Sequence, residues 1–253
     1  MFDPEILLSK KIYLIQLGSP PQDIRESQGD ISEWFYAALK DYINHIEVIR
    51  VFAGDTLPKP NSHSVAILTG SWSMVTDNEP WSEKTAEWIR NAVLLHMPLF
   101  GICYGHQLIA HALGGRVDYH PKGIEIGCKN IELSALAKHD PLLKGLPMHF
   151  PAYLTHRQTI IQLPAEALVF GSSVHDPHQI VRYNPTTIST QFHPEFTFRI
   201  AETMIVLRQT QLYKEGLNIN SLCKSLKHST PEASKILANF VEVHFFKENL
   251  IEE

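Results

Sequence analysis

The sequence GICYGH at residues 101–106 lies where a short apolar run meets a helical pattern that ends at a glycine pair. Gly101 and Gly105 stand two residues before and two residues after Cys103. A nucleophile framed in this way at a strand-to-helix junction is typical of the sharp elbow described for serine hydrolases. The central residue of that turn has a strained backbone, and the small neighbours leave room for the adjacent chain. We therefore predict an α/β fold in which Cys103 projects above the edge of a sheet.

Strand and helix patterns alternate around this junction in the first half of the chain. Apolar runs with the length and composition of buried strands occur at 12–17, 46–52, 65–68 and 98–102. Apolar residues recur at helical spacing at 30–44, 79–95 and 106–113. Asp30 or Ser32 is expected to cap the first of these helices. This order predicts a mostly parallel central sheet with helices on both faces.

The second half of the chain carries shorter β-like segments and then helical ones. The β-like segments occur at 124–133, 150–154, 167–170, 179–182 and 187–192. They could extend the central sheet or form a small antiparallel element, and the pattern becomes helical from Phe198 onward. Without a long linker, we predict one α/β domain at 1–204 with a helical C-terminal extension at 205–253 packed on the same body.

Composition and charge narrow the classes of function. The 253 residues are 44% hydrophobic and 19% charged, which is typical of a globular protein with a core. The net charge of −5 offers no basic excess for a phosphate backbone, so we expect no nucleic-acid partner. Asp3 and Glu5 do not fit a signal peptide, and no apolar run is long enough to span a membrane. Three cysteines are too few for a disulfide framework, so the sequence predicts a cytoplasmic protein.

A cysteine at the predicted elbow has further features of a nucleophile. The free amides and positive dipole end of a helix that begins after Cys103 favour the thiolate, which is the reactive form. The amide of Tyr104 points into the same space and could donate to a developing oxyanion. Cys128 and Cys223 lack this frame, and we interpret them as structural residues.

A cysteine nucleophile needs a general base, and position selects one of the fourteen histidines. His193 follows a strand pattern, so it would lie on the same sheet edge as Cys103. Pro194 favours extended geometry, which would bring the Glu195 carboxylate beside the imidazole as the third member of a triad. We expect the other histidines, including His106, at the surface or in loops. No metal-binding, ATP-binding or dinucleotide-binding motif occurs, so we predict no cofactor and no metal site.

Two segments resemble the defining motifs of the class I glutamine amidotransferases, the triad type. They are GICYGHQLIAHALGG at 101–115 and QFHPEF at 191–196. Segments at 68–81, at 123–128 and around His156 also match, and the subgroup is similar to the glutaminase domain of GMP synthase. The resemblance covers roughly residues 11–198 and implies a flavodoxin-like fold.

The resemblance also implies a mechanism and further site residues. Cys103 would attack the side-chain amide of glutamine, and ammonia would leave with a proton from His193. Water would then release glutamate from the thioester. The amides of Gly70 and Tyr104 would form the oxyanion hole, and Gln107 would help to hold the glutamine.

One departure from the family pattern leaves the substrate open. The GMP synthase type has His-Gly-Asp where this sequence has His-Arg-Gln at 156–158, and the neutral Gln158 would pair more weakly with the α-ammonium of glutamine. We expect no synthetase segment beyond the helical tail, so ammonia would pass to a separate synthetase partner or the reaction would end at hydrolysis. A γ-glutamyl peptidase or hydrolase is one alternative. A non-catalytic regulatory subunit is another, although the intact Cys103, His193 and Glu195 argue against it.

Overall fold

The computed structural model describes residues 10–246 of the chain. The strands are β1 Ile12–Gln16, β2 Ile46–Arg50, β3 Val65–Leu68, β4 Leu99–Ile102, β5 Arg116–Tyr119, β6 Glu125–Leu133, β7 His149–His156, β8 Gln158–Gln162, β9 Leu168–Ser172, β10 Ile180–Asn184 and β11 Thr187–Thr190. The α-helices are α1 Gln22–Gln28, α2 Ile31–Ala38, α3 Pro80–Leu94, α4 Tyr104–Ala112, α5 Phe198–Val206, α6 Gln209–Lys214, α7 Ile219–Ser225 and α8 Pro231–Val241. The segment with Asp3 and Glu5, on which the signal-peptide prediction rests, and the end of the predicted extension at 247–253 lie outside the described residues.

One large sheet carries its strands in the order β2-β1-β3-β4-β11-β10-β9-β6-β7. From β2 to β11 every neighbouring pair is parallel, and from β11 to β7 every neighbouring pair is antiparallel. β5 and β8 pair antiparallel in a separate two-stranded sheet. The predicted α/β class with a parallel centre is confirmed. The five predicted β-like segments all extend the large sheet, and the small antiparallel element is formed by β5 and β8, which the sequence pattern did not single out.

Alternating side chains along the parallel strands separate two cores on opposite faces of the sheet. In β1, Ile12 and Leu14 belong to one core and Ile15 to the other. The first core contains apolar side chains of α2 and α8, and the second contains those of α3 and α4. Because helices cover both faces, the central strand β3 is buried and its sequence VAIL is apolar throughout, whereas the edge strand β2 carries the exposed Glu47 and Arg50.

The first helical regions differ in part from the prediction. Helix α1 lies in a region for which the sequence pattern predicted no helix. Ile24 is its only buried residue, so its sequence shows no apolar residues at helical spacing. The helix expected at 30–44 is α-helical only as far as Ala38, and the 3-10 turn that follows buries none of its residues. The capping role of Asp30 is confirmed, because Asp30 and Glu33 form a capping box at the start of α2.

The C-terminal helices pack on the first core. Phe240 of α8 and Phe100 of β4 have ring centroids 5.2 Å apart, and both are buried. The division at residue 204 stays a prediction. Within residues 10–246, no helix combines the length and the apolar character that a membrane span requires.

The parallel strands β3, β4 and β11 are neighbours and end at the same edge of the sheet. The chain continues from them to Gly70, Cys103 and His193, respectively. Ligands of open α/β sheets bind at this carboxyl edge. The topology therefore brings three of the candidate site residues to one place.

Candidate functional site

Cys103 occupies the sharp turn between β4 and α4. Its backbone has φ 50° and ψ −98°, which is a left-handed conformation that residues other than glycine rarely adopt. Its N–H donates to the carbonyl oxygen of Thr190 at 2.9 Å, and this bond fixes the turn against β11. A Cβ at Gly105 would clash with the carbonyl oxygen of Leu68, so only glycine lets α4 approach the end of β3. This is the elbow geometry that the glycine spacing predicts.

A turn after β11 brings an imidazole and a carboxylate together. The N–H of His193 donates to the carbonyl oxygen of Tyr153 at 2.9 Å, which ties the turn to β7. The Nδ1 atom of His193 lies 2.7 Å from Oε1 of Glu195. The N–H of Phe196 donates back to the carbonyl oxygen of His193 at 3.4 Å. The expected extended segment around Pro194 was therefore wrong, and a turn produces the contact instead.

The His193 imidazole is buried between the Glu195 carboxylate and the Cys103 thiol. Burial alone lowers the pKa of His193, but the negative charges of Glu195 and of a Cys103 thiolate outweigh burial and raise it to about 10. Among the described residues, no group forms a hydrogen bond of normal geometry with Nε2. The ring stacks on Phe196 with centroids 3.9 Å apart. The imidazolium is thus the favoured form at neutral pH, and Nε2 is its unengaged nitrogen.

Two backbone amides beside Cys103 are free to donate. Within residues 10–246, neither the N–H of Gly70 nor that of Tyr104 has an acceptor, and Tyr104 is the first residue of α4. An added Cβ on Gly70 would lie 3.0 Å from Cε1 of His193 and 3.7 Å from Cβ of Cys103. The Tyr104 hydroxyl lies 2.7 Å from Oγ of Ser82, and burial raises its pKa to about 12. The Tyr104 phenol therefore packs against α3, while its amide stays beside Cys103.

Gln107 is held in a single orientation in the first turns of α4. Its Nε2 atom donates to the carbonyl oxygen of Gln158 at 2.7 Å and to Oε1 of Gln191 at 2.9 Å. The residue is buried, and it lines the same cavity as Cys103. Its amide is therefore positioned before any ligand binds.

The side chain of Gln158 is fully engaged by a neighbouring 3-10 turn. Its Oε1 accepts from the N–H of Val75 at 3.0 Å, and its Nε2 donates to Oγ1 of Thr76 at 2.6 Å. Both ends of the amide are used and the residue is buried. Gln158 consequently supports the loop at 75–77, and each polar atom of its side chain already has one partner there.

One cavity of about 250 Å³ joins these residues. Part of its wall is apolar and aromatic, formed by Ile31, Trp34, Trp72, Met74 and Phe196. Another part carries the cations Arg157 and Arg208. Sequence reasoning missed both features. Arg157 lies beside Gln158 in a segment that departs from the family pattern, and this departure could have pointed to it as a site residue. No sequence pattern points to Arg208, because the fold of the C-terminal helices brings it to the cavity.

The expectation that the remaining histidines lie at the surface was wrong for His106 and His156. Burial lowers the pKa of His106 to about 3, and its Nδ1 lies 2.7 Å from Oγ of Ser189. The Nε2 atom of His156 lies 2.9 Å from Oε2 of Glu125, and both side chains are buried. Helix α4 is enclosed almost all around, so even its polar residues lie inside the protein.

The chain is similar in sequence to known proteins over more than half of its length. The glutamine amidotransferase class-I family model matches residues 38–210. The chain is 38% identical over 117 residues to a GMP synthase (glutamine-hydrolyzing) of Thermosipho africanus, which is 46% of this chain and 22% of that protein. The chain thus spans about a fifth of the length of the Thermosipho GMP synthases. It is 34% identical over 197 residues to the glutamine amidotransferase-like protein YfeJ of Salmonella typhimurium, covering 74% of this chain and 78% of that one.

Solved structures match the fold over nearly the whole chain. A glutamine amidotransferase of Thermotoga maritima superposes with a TM-score of 0.73 at 19% identity, covering 93% of this chain and 99% of that one. A glutamine amidotransferase of Methylobacillus flagellatus gives a TM-score of 0.67 at 19% identity, with coverage of 96% and 99%. At these identities the likeness is one of fold.

Proposed function

The chain belongs to the class I glutamine amidotransferase family, and from this premise we propose that it hydrolyses a γ-glutamyl amide, glutamine first among them, through a thioester on Cys103. One observation carries the proposal. A cysteine in an elbow turn shares a cavity with a buried imidazole that a carboxylate holds at 2.7 Å. This arrangement provides a nucleophile, a proton carrier and an orienting group.

In the proposed acylation step, the sulfur of Cys103 attacks the side-chain carbonyl carbon of the substrate. The carbonyl oxygen becomes an oxyanion, which the free N–H groups of Gly70 and Tyr104 stabilise. The imidazolium of His193 donates its Nε2 proton to the amide nitrogen, and the C–N bond breaks to release ammonia or an amine. Glu195 stays ionised and holds the imidazole by Nδ1 throughout.

In the proposed deacylation step, the imidazole of His193 is neutral and accepts a proton from water. The resulting hydroxide attacks the thioester carbonyl carbon, the same two amides stabilise the second oxyanion, and the C–S bond breaks. Glutamate leaves and the thiolate–imidazolium pair of Cys103 and His193 is restored. One water is consumed for each amide cleaved.

The fate of the ammonia is a further part of the proposal. The relatives named GMP synthase are described as glutamine-hydrolyzing, and the part that aligns with this chain is a minor share of their length. We propose that ammonia passes to a separate synthetase chain. We also place the reaction in a reducing, cytoplasmic compartment, because a nucleophilic thiol is inactivated by oxidation.

A second candidate function is a γ-glutamyl peptidase or hydrolase. The observation that favours it is the engagement of Gln158 with Val75 and Thr76, since that position supplies no carboxylate for the α-ammonium of free glutamine. A larger γ-glutamyl compound would form the same acyl-enzyme and release an amine in place of ammonia.

The test is a substrate panel with product identification. We expect wild-type protein to release glutamate from glutamine or from a γ-glutamyl dipeptide, and Cys103→Ala to release none. Cys128→Ala, which changes a cysteine outside the cavity, should behave as wild type. The preferred substrate separates the two enzymatic candidates. If neither substrate is cleaved and a glutamine-like alkylating agent leaves Cys103 unlabelled, both enzymatic functions are contradicted and a non-catalytic regulatory subunit is the better interpretation.

A further inference from the structure

The cationic part of the cavity contains two arginines with different surroundings. Arg157 forms an ion pair with Glu215, with 2.6 Å between Nη2 and Oε1. Arg208 has no carboxylate within 4.0 Å among residues 10–246. Its Nη1 atom instead donates to Oγ1 of Thr155 at 2.6 Å. Arg208 is thus a cavity-lining cation without a counter-ion.

Arg208 lies within electrostatic reach of the nucleophile. The carbonyl oxygen of Thr155 is 3.9 Å from Sγ of Cys103, and the hydroxyl of the same threonine holds Arg208. Burial and the neighbouring Arg157 lower the pKa of Arg208, whereas Glu215 and a Cys103 thiolate raise it. The guanidinium of Arg208 is therefore partly desolvated, lies near the cation of Arg157 and forms part of the cavity wall.

Removing a cation from water without a carboxylate partner is unfavourable, and one hydroxyl compensates only part of that loss. A guanidinium has five N–H donors in a rigid plane that matches the two oxygens of a carboxylate. Thr155 is the only acceptor bonded to Arg208 in the described part of the chain. The side-chain acceptors of the cavity are partly in use, because Oε1 of Glu195 lies 2.7 Å from Nδ1 of His193 and each polar atom of the Gln158 amide has one partner. Oε2 of Glu195 has no hydrogen-bond partner among the described residues.

We propose that Arg208, which lies between α5 and α6, binds a carboxylate of the amide substrate and so determines substrate specificity. The inference rests on the proposed function and names its substrate class as amides that carry a free carboxylate. That carboxylate belongs either to the α-carbon of the glutamyl group or to the amine that leaves. In both cases the C-terminal helical region completes the binding site.

The experiment compares free and capped substrates. Glutamine is measured beside glutaminamide, and γ-glutamylglycine beside γ-glutamylglycinamide, so that each pair differs by one carboxylate. Arg208→Gln is expected to raise KM roughly 10- to 100-fold for the substrate whose carboxylate it binds, with kcat changed less than about threefold. The capped partner should have a high KM already in wild type and should not respond to the variant. Arg208→Lys should restore part of the loss, and Arg199→Gln, an exposed arginine of α5, serves as the matched control.

The pair in which Arg208→Gln raises KM for the free substrate but not for the capped one identifies which carboxylate is bound. An equal change in KM for the free and capped members of both pairs, or a fall in kcat at constant KM, would overturn the proposal. If no substrate is turned over, titration calorimetry of Cys103→Ala with glutamate and γ-glutamylglycine separates the two proposals. Binding that Arg208→Gln removes would support the carboxylate site although the proposed reaction has failed. Binding that is absent, or equal in both proteins, would contradict it.

Discussion

Replacing Glu195 by glutamine removes a charge from the site and keeps its shape. The carboxylate lies 2.7 Å from Nδ1 of His193, and the two side chains are only 1% and 5% exposed. Solvent therefore screens the contact very little. The charge of Glu195 is also a main cause of the raised pKa of His193. The variant Glu195→Gln should leave a neutral hydrogen bond where a charge-assisted one existed.

The size of the effect follows from the change in hydrogen-bond type. A hydrogen bond to a charged group contributes about 1.5–3 kcal/mol and a neutral one about 1 kcal/mol, so the loss is about 0.5–2 kcal/mol. At one factor of ten for each ~1.4 kcal/mol, kcat should fall about 2- to 30-fold. His193→Ala removes proton transfer itself and should reduce kcat by about 10²- to 10⁴-fold. The order of the two losses is thus a direct consequence of the assigned roles.

Glutamate release at saturating substrate measures these losses, and the alkylation rate of Cys103 across pH reports the thiolate–imidazolium pair. Glu87→Gln changes an exposed glutamate of α3 and is the matched control. We expect Glu87→Gln to match wild type in both assays. A Glu195→Gln protein with unchanged kcat, or one as impaired as His193→Ala, would refute the orienting role of Glu195.

Three further predictions concern geometry, packing and pH. Gly70→Ala should lower kcat about tenfold or more, because the added Cβ would lie 3.0 Å from Cε1 of His193. Circular dichroism should show that the variant stays folded, and an unchanged kcat would contradict the placement of the oxyanion site. Gln107→Ala should lower the free energy of unfolding in urea by about 1–3 kcal/mol, since the buried Oε1 of Gln191 loses its donor and the Gln158 carbonyl oxygen keeps only Nδ1 of His156. An unchanged midpoint would argue against these bonds. The pKa of His193 is raised to about 10 in the folded protein, above its ordinary value of 6.5. The stability that His193 contributes is therefore complete below about pH 6.5 and is lost as pH rises through about 10. The difference in the free energy of unfolding between wild type and Glu195→Gln, measured in urea titrations, should therefore shrink across that pH range. A difference that grows would contradict the sign of the predicted coupling.

Local patterns were enough to predict the parallel half of the fold and the position of the nucleophile. Strand β3 was predicted within its observed bounds, and the elbow at Cys103 followed from the spacing of two glycines, because steric limits at a tight turn act over a few residues. The proximity of His193 and Glu195 was also predicted, although a turn rather than an extended segment brings them together.

Features that depend on distant pairing were not predictable in the same way. Strands β5 and β8 are short, and only their mutual pairing identifies them as a sheet. The burial of His106 depends on what packs around α4, and the place of Arg208 depends on how the C-terminal helices return to the cavity. Such contacts arise from tertiary packing, which overrides local sequence preference.

The central claim is that Cys103 forms a covalent glutamyl intermediate. Its most direct test is intact-mass and peptide analysis of protein quenched with acid during turnover of glutamine or a γ-glutamyl dipeptide. The account predicts an added glutamyl group on the peptide that contains Cys103, released by hydroxylamine and absent from Cys103→Ala. Turnover that survives in Cys103→Ala, or an adduct found on Cys128 or Cys223 instead, would contradict the account.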